Sequence, residues 1–250
     1  MALCELKFFS HVLGKQCAMN VILPDAGQGP FATFYLLHGM SDDYSTWARR
    51  SRIEWYVRDW PLIVVMPDGF KGFYTRNNEG PDFATYLAEE VVYTVERFFP
   101  AKPTRAARCI GGLSMGGYGA FRCALDNPQL FVSATSHSGA LLRGSVRWER
   151  PEDADLRRVF GRDPSGSRHD LMELVRRGQG TMPKLRFDCG TEDFLLDDNR
   201  TFHAFLDYMG VKHEYEEFPG GHDWDYWDLH VRDALRFHAK ALRLRRVKSV

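Results

Sequence analysis

The chain is 250 residues long, and its 33 Lys and Arg balance 33 Asp and Glu to a formal net charge of zero. That balance argues against a protein held on nucleic acid or an anionic membrane by bulk charge. With 44% hydrophobic residues, one α/β unit of this length can bury a full core, so a single domain spanning 1–250 is expected.

The one local excess of charge, Lys240, Arg243, Arg245, Arg246 and Lys248, suits the negative end of a C-terminal helix. Glu5, Lys7 and His11 interrupt any apolar leader within Met1 to Leu13, and no run is long enough to span a bilayer. The cysteines Cys4, Cys17, Cys109, Cys123 and Cys189 are scattered and form no C-x-x-C pair. Neither a disulfide framework nor a zinc site is expected from them, and reduced thiols in a soluble cytoplasmic protein are the simplest reading.

Two extended stretches, Ala2 to Ser10 and Gln16 to Leu23, open the chain as an antiparallel pair around Leu13-Gly14-Lys15. Phe31 to Leu37 reads as a buried strand ending in His38-Gly39, and Tyr44 to Trp60 as an amphipathic helix. Leu62 to Met66 is a short strand stopped by Pro67-Asp68-Gly69, and Phe83 to Phe99 is a helix stopped by Pro100. Ala106 to Ile110 is an apolar run before Gly111-Gly112-Leu113-Ser114-Met115-Gly116-Gly117, and Tyr118 to Leu125 continues as a helix. Further strands are expected at Phe131 to Ser136, Met182 to Asp188 and Lys212 to Phe218, with helices at Asn199 to Met209 and Asp225 to Arg243. Strand and helix alternate from Phe31 onward, which predicts a mostly parallel sheet with helices on both faces. The segment 142–180 is long, charged and weakly periodic, and reads as an insertion, either solvated or a lid.

Gly112-Leu113-Ser114-Met115-Gly116 between a strand and a helix is the G-x-S-x-G nucleophile elbow. A serine hydroxyl needs a base to take its proton, and that base is oriented by a carboxylate. Downstream, Asp193 follows the strand ending near Asp188, and His222 follows the strand ending near Phe218. Both fall where strand C-terminal ends deliver loops to one crevice. Glu192, Asp197 and Asp198 compete with Asp193, although the latter two look more like the opening of a helix. The oxyanion formed on attack needs preset N–H donors, and Met115 and Met40 are the candidates. Trp47, Phe70, Phe73, Tyr74, Trp224 and Trp227 lie near these loops and are candidates for the pocket lining or for the core. No metal constellation and no dinucleotide-binding G-x-G-x-x-G stand out in the spacing.

Taken together, His38-Gly39, the Ser114 elbow, Gly190-Thr191-Glu192-Asp193 and Gly221-His222-Asp223-Trp224 resemble the esterase D family of α/β-hydrolases. That family includes S-formylglutathione hydrolases, feruloyl and acetylxylan esterases and mycolyltransferases. The pattern is most similar to the compact tributyrin and cinnamoyl esterases of bacteria. The resemblance implies an α/β-hydrolase fold, a Ser114, Asp193 and His222 triad with Met40 and Met115 as oxyanion donors, and an acyl pocket capped by 142–180. It implies a cofactor-independent serine carboxylesterase acting on a small-molecule ester, with homo-oligomers known among relatives. A thioesterase of the S-formylglutathione hydrolase kind, an acyltransferase and a non-catalytic binding module are the rival expectations.

Overall fold

The computed structural model describes residues 1–25, 27–178 and 181–247. The expected boundary of the insertion at 179–180 and the basic Lys248 lie outside them. Eight strands form one sheet in the order β1-β2-β4-β3-β5-β6-β7-β8. They are β1 (Ala2–Ser10), β2 (Lys15–Leu23), β3 (Ala32–Leu37), β4 (Leu62–Pro67), β5 (Arg108–Leu113), β6 (Ser133–His137), β7 (Lys184–Gly190) and β8 (His213–Phe218). The first hairpin is antiparallel and joins β4 antiparallel, while every pairing from β4 through β8 is parallel. The central strands β3, β4, β5 and β6 are buried along their whole length, as a sheet covered on both sides requires.

The expected helix from Tyr44 to Trp60 is instead two short ones, α1 (Thr46–Arg50) and α2 (Ile53–Val57). The break has a local cause. Ser51 turns extended and its hydroxyl donates to the Trp47 carbonyl at 2.6 Å, while Asp228 accepts the Arg52 N–H at 2.7 Å. Residues 83–98 run as α3 (Phe83–Thr85), a π-helical stretch (Tyr86–Val91) and α4 (Val92–Phe98). Then come α5 (Met115–Asp126), α6 (Ala154–Phe160), α7 (Leu171–Arg177), α8 (Leu196–Tyr208) and α9 (Trp224–Leu242). Strand β7 starts at Lys184, later than expected, because Pro183 has no N–H to give a ladder.

The core lies in two layers. One holds Tyr35, Phe121, Phe131, Phe187 and Phe202 with 83–98, α5, α7 and α8. The other packs Trp47, Ile53, Val57, Trp227, Val231 and Leu235, from α1, α2 and α9, on Phe34, Leu36 and Val64. Among the described residues no helix is long and apolar enough to cross a membrane.

Two histidines, one buried and one half-buried, give the fold a pH signature. His238 of α9 lies 2.8 Å from Ser133 Oγ and 2.9 Å from Thr135 Oγ1, and burial pushes its pKa down to about 3. Burial, helped by Arg122, likewise lowers His169 to about 4, with its Nδ1 2.9 Å from Thr75 Oγ1. Both fall below the ordinary histidine value, so the unfolded chain binds the extra protons as pH drops. Stability is therefore full above pH ~6.5 and falls below it, by about 1.4 kcal/mol per pH unit from His238, with a smaller, solvent-screened share from His169. Urea midpoints measured from pH 7 to 4.5 should show this slope, and His238→Gln should flatten it by about one proton.

Candidate active site

The elbow is built by close contact between β5, α5 and the end of β3. Ser114 has φ 52° and ψ −114°, a positive-φ conformation that a non-glycine residue holds only when its surroundings fix it. Its N–H donates to the His137 carbonyl at 2.9 Å, and its carbonyl accepts from the Tyr118 and Ala140 N–H groups, each at 3.1 Å. A Cβ on Gly116 would stand 2.5 Å from the Leu37 carbonyl oxygen, and one on Gly112 would stand 2.6 Å from the Gly116 carbonyl carbon. Both obstacles are backbone, so neither position admits a side chain.

At the turn's apex, Ser114 Oγ lies 3.0 Å from His222 Nε2. His222 Nδ1 is 2.8 Å from Asp193 Oδ2 and 3.0 Å from Oδ1. The structure thus brings the three residues from three strand ends into one hydrogen-bonded chain. Burial of Asp193 opposes its charge. Hydrogen bonds from His222, the Leu195 N–H and the Ser138 hydroxyl outweigh this and hold the carboxyl below its ordinary range. The competing carboxylates stand apart: Glu192 is exposed in the loop, and Asp197 and Asp198 occupy the first turn of α8.

The other side of the crevice is the loop after β3. His38 is buried, with Nδ1 donating to the Gly39 carbonyl at 2.7 Å and Nε2 accepting from the Gly69 N–H at 2.9 Å. Gly39 is pressed against the elbow, since a Cβ there would lie 2.7 Å from Leu113 and 3.8 Å from the Ser114 Cβ. Met40 follows it at the crevice, and Met115 opens α5, where the helix dipole favours negative charge. Among the described residues, neither Met N–H has a protein acceptor.

The Esterase family model matches residues 10–238. An acetyl esterase of Caldicellulosiruptor saccharolyticus is 34% identical over 96% of this chain and 99% of its own. The chain belongs to the Esterase family. Among solved structures, a fluorophosphonate-binding serine hydrolase of Staphylococcus aureus superposes with a TM-score of 0.86 at 31% identity. That match covers 95% of this chain and 98% of that one. An S-formylglutathione hydrolase from Staphylococcus aureus gives 0.84 at 30% identity, with the same coverage. A ferulic acid esterase at 24% identity and a TM-score of 0.80 shares the fold. The fold is that of the α/β-hydrolases.

Beneath the chain of Ser114, His222 and Asp193 lies a buried ionic layer absent from the sequence reading. Asp188 is fully buried and accepts from Arg186 Nη1 at 2.5 Å, from Tyr226 Oη at 3.1 Å and from His137 Nδ1 at 2.9 Å. Arg186 also reaches Glu216 of β8 at 2.6 Å. Burial opposes ionisation of Asp188, but His137 and Arg186 outweigh it and keep the carboxyl below its ordinary range. The layer is hitched to the triad through neighbours. Ser138 donates its N–H to the Asp188 carbonyl at 2.8 Å, and its hydroxyl accepts from Trp227 Nε1 at 3.2 Å. Trp227 presents its ring edge-on to His222 at 4.9 Å.

The aromatic candidates divide by position. Trp47 is fully buried, donating to the Leu37 carbonyl at 3.0 Å, and Tyr74 is fully buried, accepting the His38 N–H at 3.1 Å. Both brace the loop after β3 and neither faces the pocket. Trp224 is half-buried between Trp47 and Trp227, at 5.1 Å and 5.4 Å. Phe70 and Phe73 do reach the open space, a cavity of about 630 Å³ lined also by Met40, Phe83, Leu156 and Val159. Leu156 and Val159 come from α6, so the segment 142–178 supplies one wall of the pocket. Phe160 fastens that wall, packing on Phe73 at 4.9 Å and on Tyr118 at 5.6 Å. Backbone bonds from Asn78 and Glu79 to Val159 and Arg158 tie it further. Phe194, which the sequence reading passed over, is largely exposed and tilts against His222 at 4.5 Å. Its position next to Asp193 was the available signal.

Proposed function

We propose that this chain is a cofactor-independent serine carboxylesterase of short-chain and aryl-acyl esters, working through an acyl-enzyme on Ser114. The observation that carries this is the unbroken chain from Ser114 Oγ through His222 to Asp193, at 3.0 Å and 2.8 Å. His222 takes the hydroxyl proton as Ser114 Oγ attacks the ester carbonyl. Asp193, already anionic, stabilises the imidazolium and fixes its Nδ1–H. The Met40 and Met115 N–H groups receive the oxyanion. Collapse of the tetrahedral intermediate breaks the ester C–O bond as His222 protonates the departing alcohol. Water, deprotonated by the same histidine, then attacks the acyl carbon and releases the acid and Ser114.

Substrate size follows from the cavity. Its floor is apolar, but Lys15, Lys71, Glu79, Asp155 and Arg158 stand at its rim. A short acyl or an aryl group stays on the apolar floor, whereas a long alkyl chain must displace water from charged groups. Across a p-nitrophenyl ester series, kcat/KM should peak at acetate to butyrate and fall by at least ~10-fold at decanoate, since even one methylene a pocket cannot take is worth about 1–3 kcal/mol. Methyl ferulate should be hydrolysed. A rising profile to decanoate would overturn the substrate reading. The rim cations also suit the carboxylates of glutathione, so S-formylglutathione belongs in the same panel; a rate far above the acetate rate would favour the thioester. The cytoplasm is the compartment we assign. All five cysteines are unpaired, and Cys17, Cys109, Cys123 and Cys189 are buried.

A further inference from the structure

At the opposite end of β8 from His222, three ligand-type side chains converge. His203 and Asp207 stand one turn apart on α8, and His213 opens β8. One donor atom from each lies within 4.8 Å of the others. The His213 side chain is only 3% exposed, and its Nδ1 sits 2.7 Å from the Val211 carbonyl oxygen. A carbonyl only accepts, so Nδ1 carries the proton and Nε2 of the neutral ring offers a lone pair. Metal-ligating histidines are held in this manner, with one N–H tied to a backbone carbonyl and the other nitrogen turned to the ion. That Nε2 is 2.7 Å from His203 Nδ1 and 3.9 Å from Asp207 Oδ1. His203 Nε2 is 3.5 Å from Asp207 Oδ2.

The surroundings hold the three residues in place. Gly210, at φ 66°, closes the turn between α8 and β8, and the Val211 N–H donates to the Leu206 carbonyl at 2.9 Å. The His203 ring stacks on Tyr215 at 4.5 Å, and the His213 ring stacks on Phe187 at 5.7 Å. None of this serves the catalytic chain.

We propose that His203, Asp207 and His213 form a binding site for a divalent transition-metal ion, zinc being the best match to two imidazoles and a carboxylate. With metal–ligand distances near 2.0–2.1 Å, donors around tetrahedral zinc stand roughly 3.4 Å apart. The 3.9 Å between Asp207 Oδ1 and His213 Nε2 is already close to that, and the 2.7 Å contact between the two histidines opens slightly to admit the ion. His203 binds through Nδ1, its proton passing through solvent to Nε2, which faces outward to water. Asp207 Oδ1 and His213 Nε2 complete the protein ligands, and water takes the solvent-facing position. The ion clips the last turn of α8 to the first residue of β8. These are the two elements whose other ends lead to Asp193 and His222. The sequence spacing alone gave no sign of metal ligands here, because the histidines fall in separate helix and strand patterns.

The test uses full-length protein stripped with EDTA and dialysed, then titrated with zinc chloride by calorimetry and by thermal melting. One equivalent should bind and raise Tm with zinc concentration. His203→Gln and Asp207→Asn change side chains 36% and 64% exposed, so the fold should persist while affinity drops at least ~10-fold. Hydrolysis of p-nitrophenyl acetate should be unchanged at one equivalent. Absence of saturable binding to the wild-type protein would overturn the site. Equal affinity in both variants, with inhibition at one equivalent, would place the ion on His222 and overturn it as well.

Discussion

Ser114→Ala is expected to lower kcat/KM on p-nitrophenyl acetate by at least ~10^4-fold with Tm nearly unchanged. The hydroxyl contributes a single hydrogen bond, to His222, and the elbow is held by backbone contacts that alanine keeps. Without Oγ the acyl-enzyme cannot form, and only the oxyanion donors and substrate binding remain to assist water. His222→Gln should cost a similar factor, and the double variant little more than either alone, because the residues act as a unit. Reaction with a fluorophosphonate should label wild-type protein on Ser114 and leave the alanine variant unlabelled. A Ser114→Ala enzyme retaining more than a few per cent of its activity would sink the mechanism.

The second large effect is on stability. Arg186→Met should destabilise the protein by about 3–5 kcal/mol, because it strands the carboxylate of Asp188 inside the sheet. The Arg186 and Asp188 side chains are 3% and 0% exposed, so no water replaces the lost guanidinium. Removing the charge as well, in Arg186→Met with Asp188→Asn, should recover part of the loss, leaving the hydrogen bonds of His137 and Tyr226 to be remade. Urea unfolding of the two variants and of Asp188→Asn alone closes the cycle. A cost below about 1 kcal/mol for Arg186→Met would show that Asp188 is not held as an anion by this pair.

Which parts of this were legible in the sequence depended on how local their physics is. The alternation of strands and helices was readable because each apolar run ends in a polar, glycine-containing loop. Leu37-His38-Gly39 and Cys189-Gly190-Thr191 are examples. The elbow was readable because crowding at Gly112 and Gly116 arises within one turn. The placing of Asp193 and His222 came from loop order and motif resemblance, which say nothing of distance. The helix break at Ser51 depends on Asp228, 176 residues from Arg52, and no window of sequence contains both. Trp47 and Tyr74 illustrate a different limit. A buried brace and a pocket wall use the same residue types, and only the partners of their polar atoms separate them. The pairing of Arg186 with Asp188 was visible as a period-2 spacing on β7, but an alternating pattern of charges reads as a solvent face until both faces of the sheet are known to be covered.

Strand β8 closes one side of the sheet and has an open row of backbone donors and acceptors. Such a row invites another chain to pair with it. The strand reads His213-Glu214-Tyr215-Glu216-Glu217-Phe218, with Glu214 and Glu216 exposed. A second copy laid against it antiparallel would set carboxylate opposite carboxylate along the join, and like charges directly across a ladder repel. The margin that leads to His222 thus carries a charge pattern that disfavours extension into a neighbour's sheet.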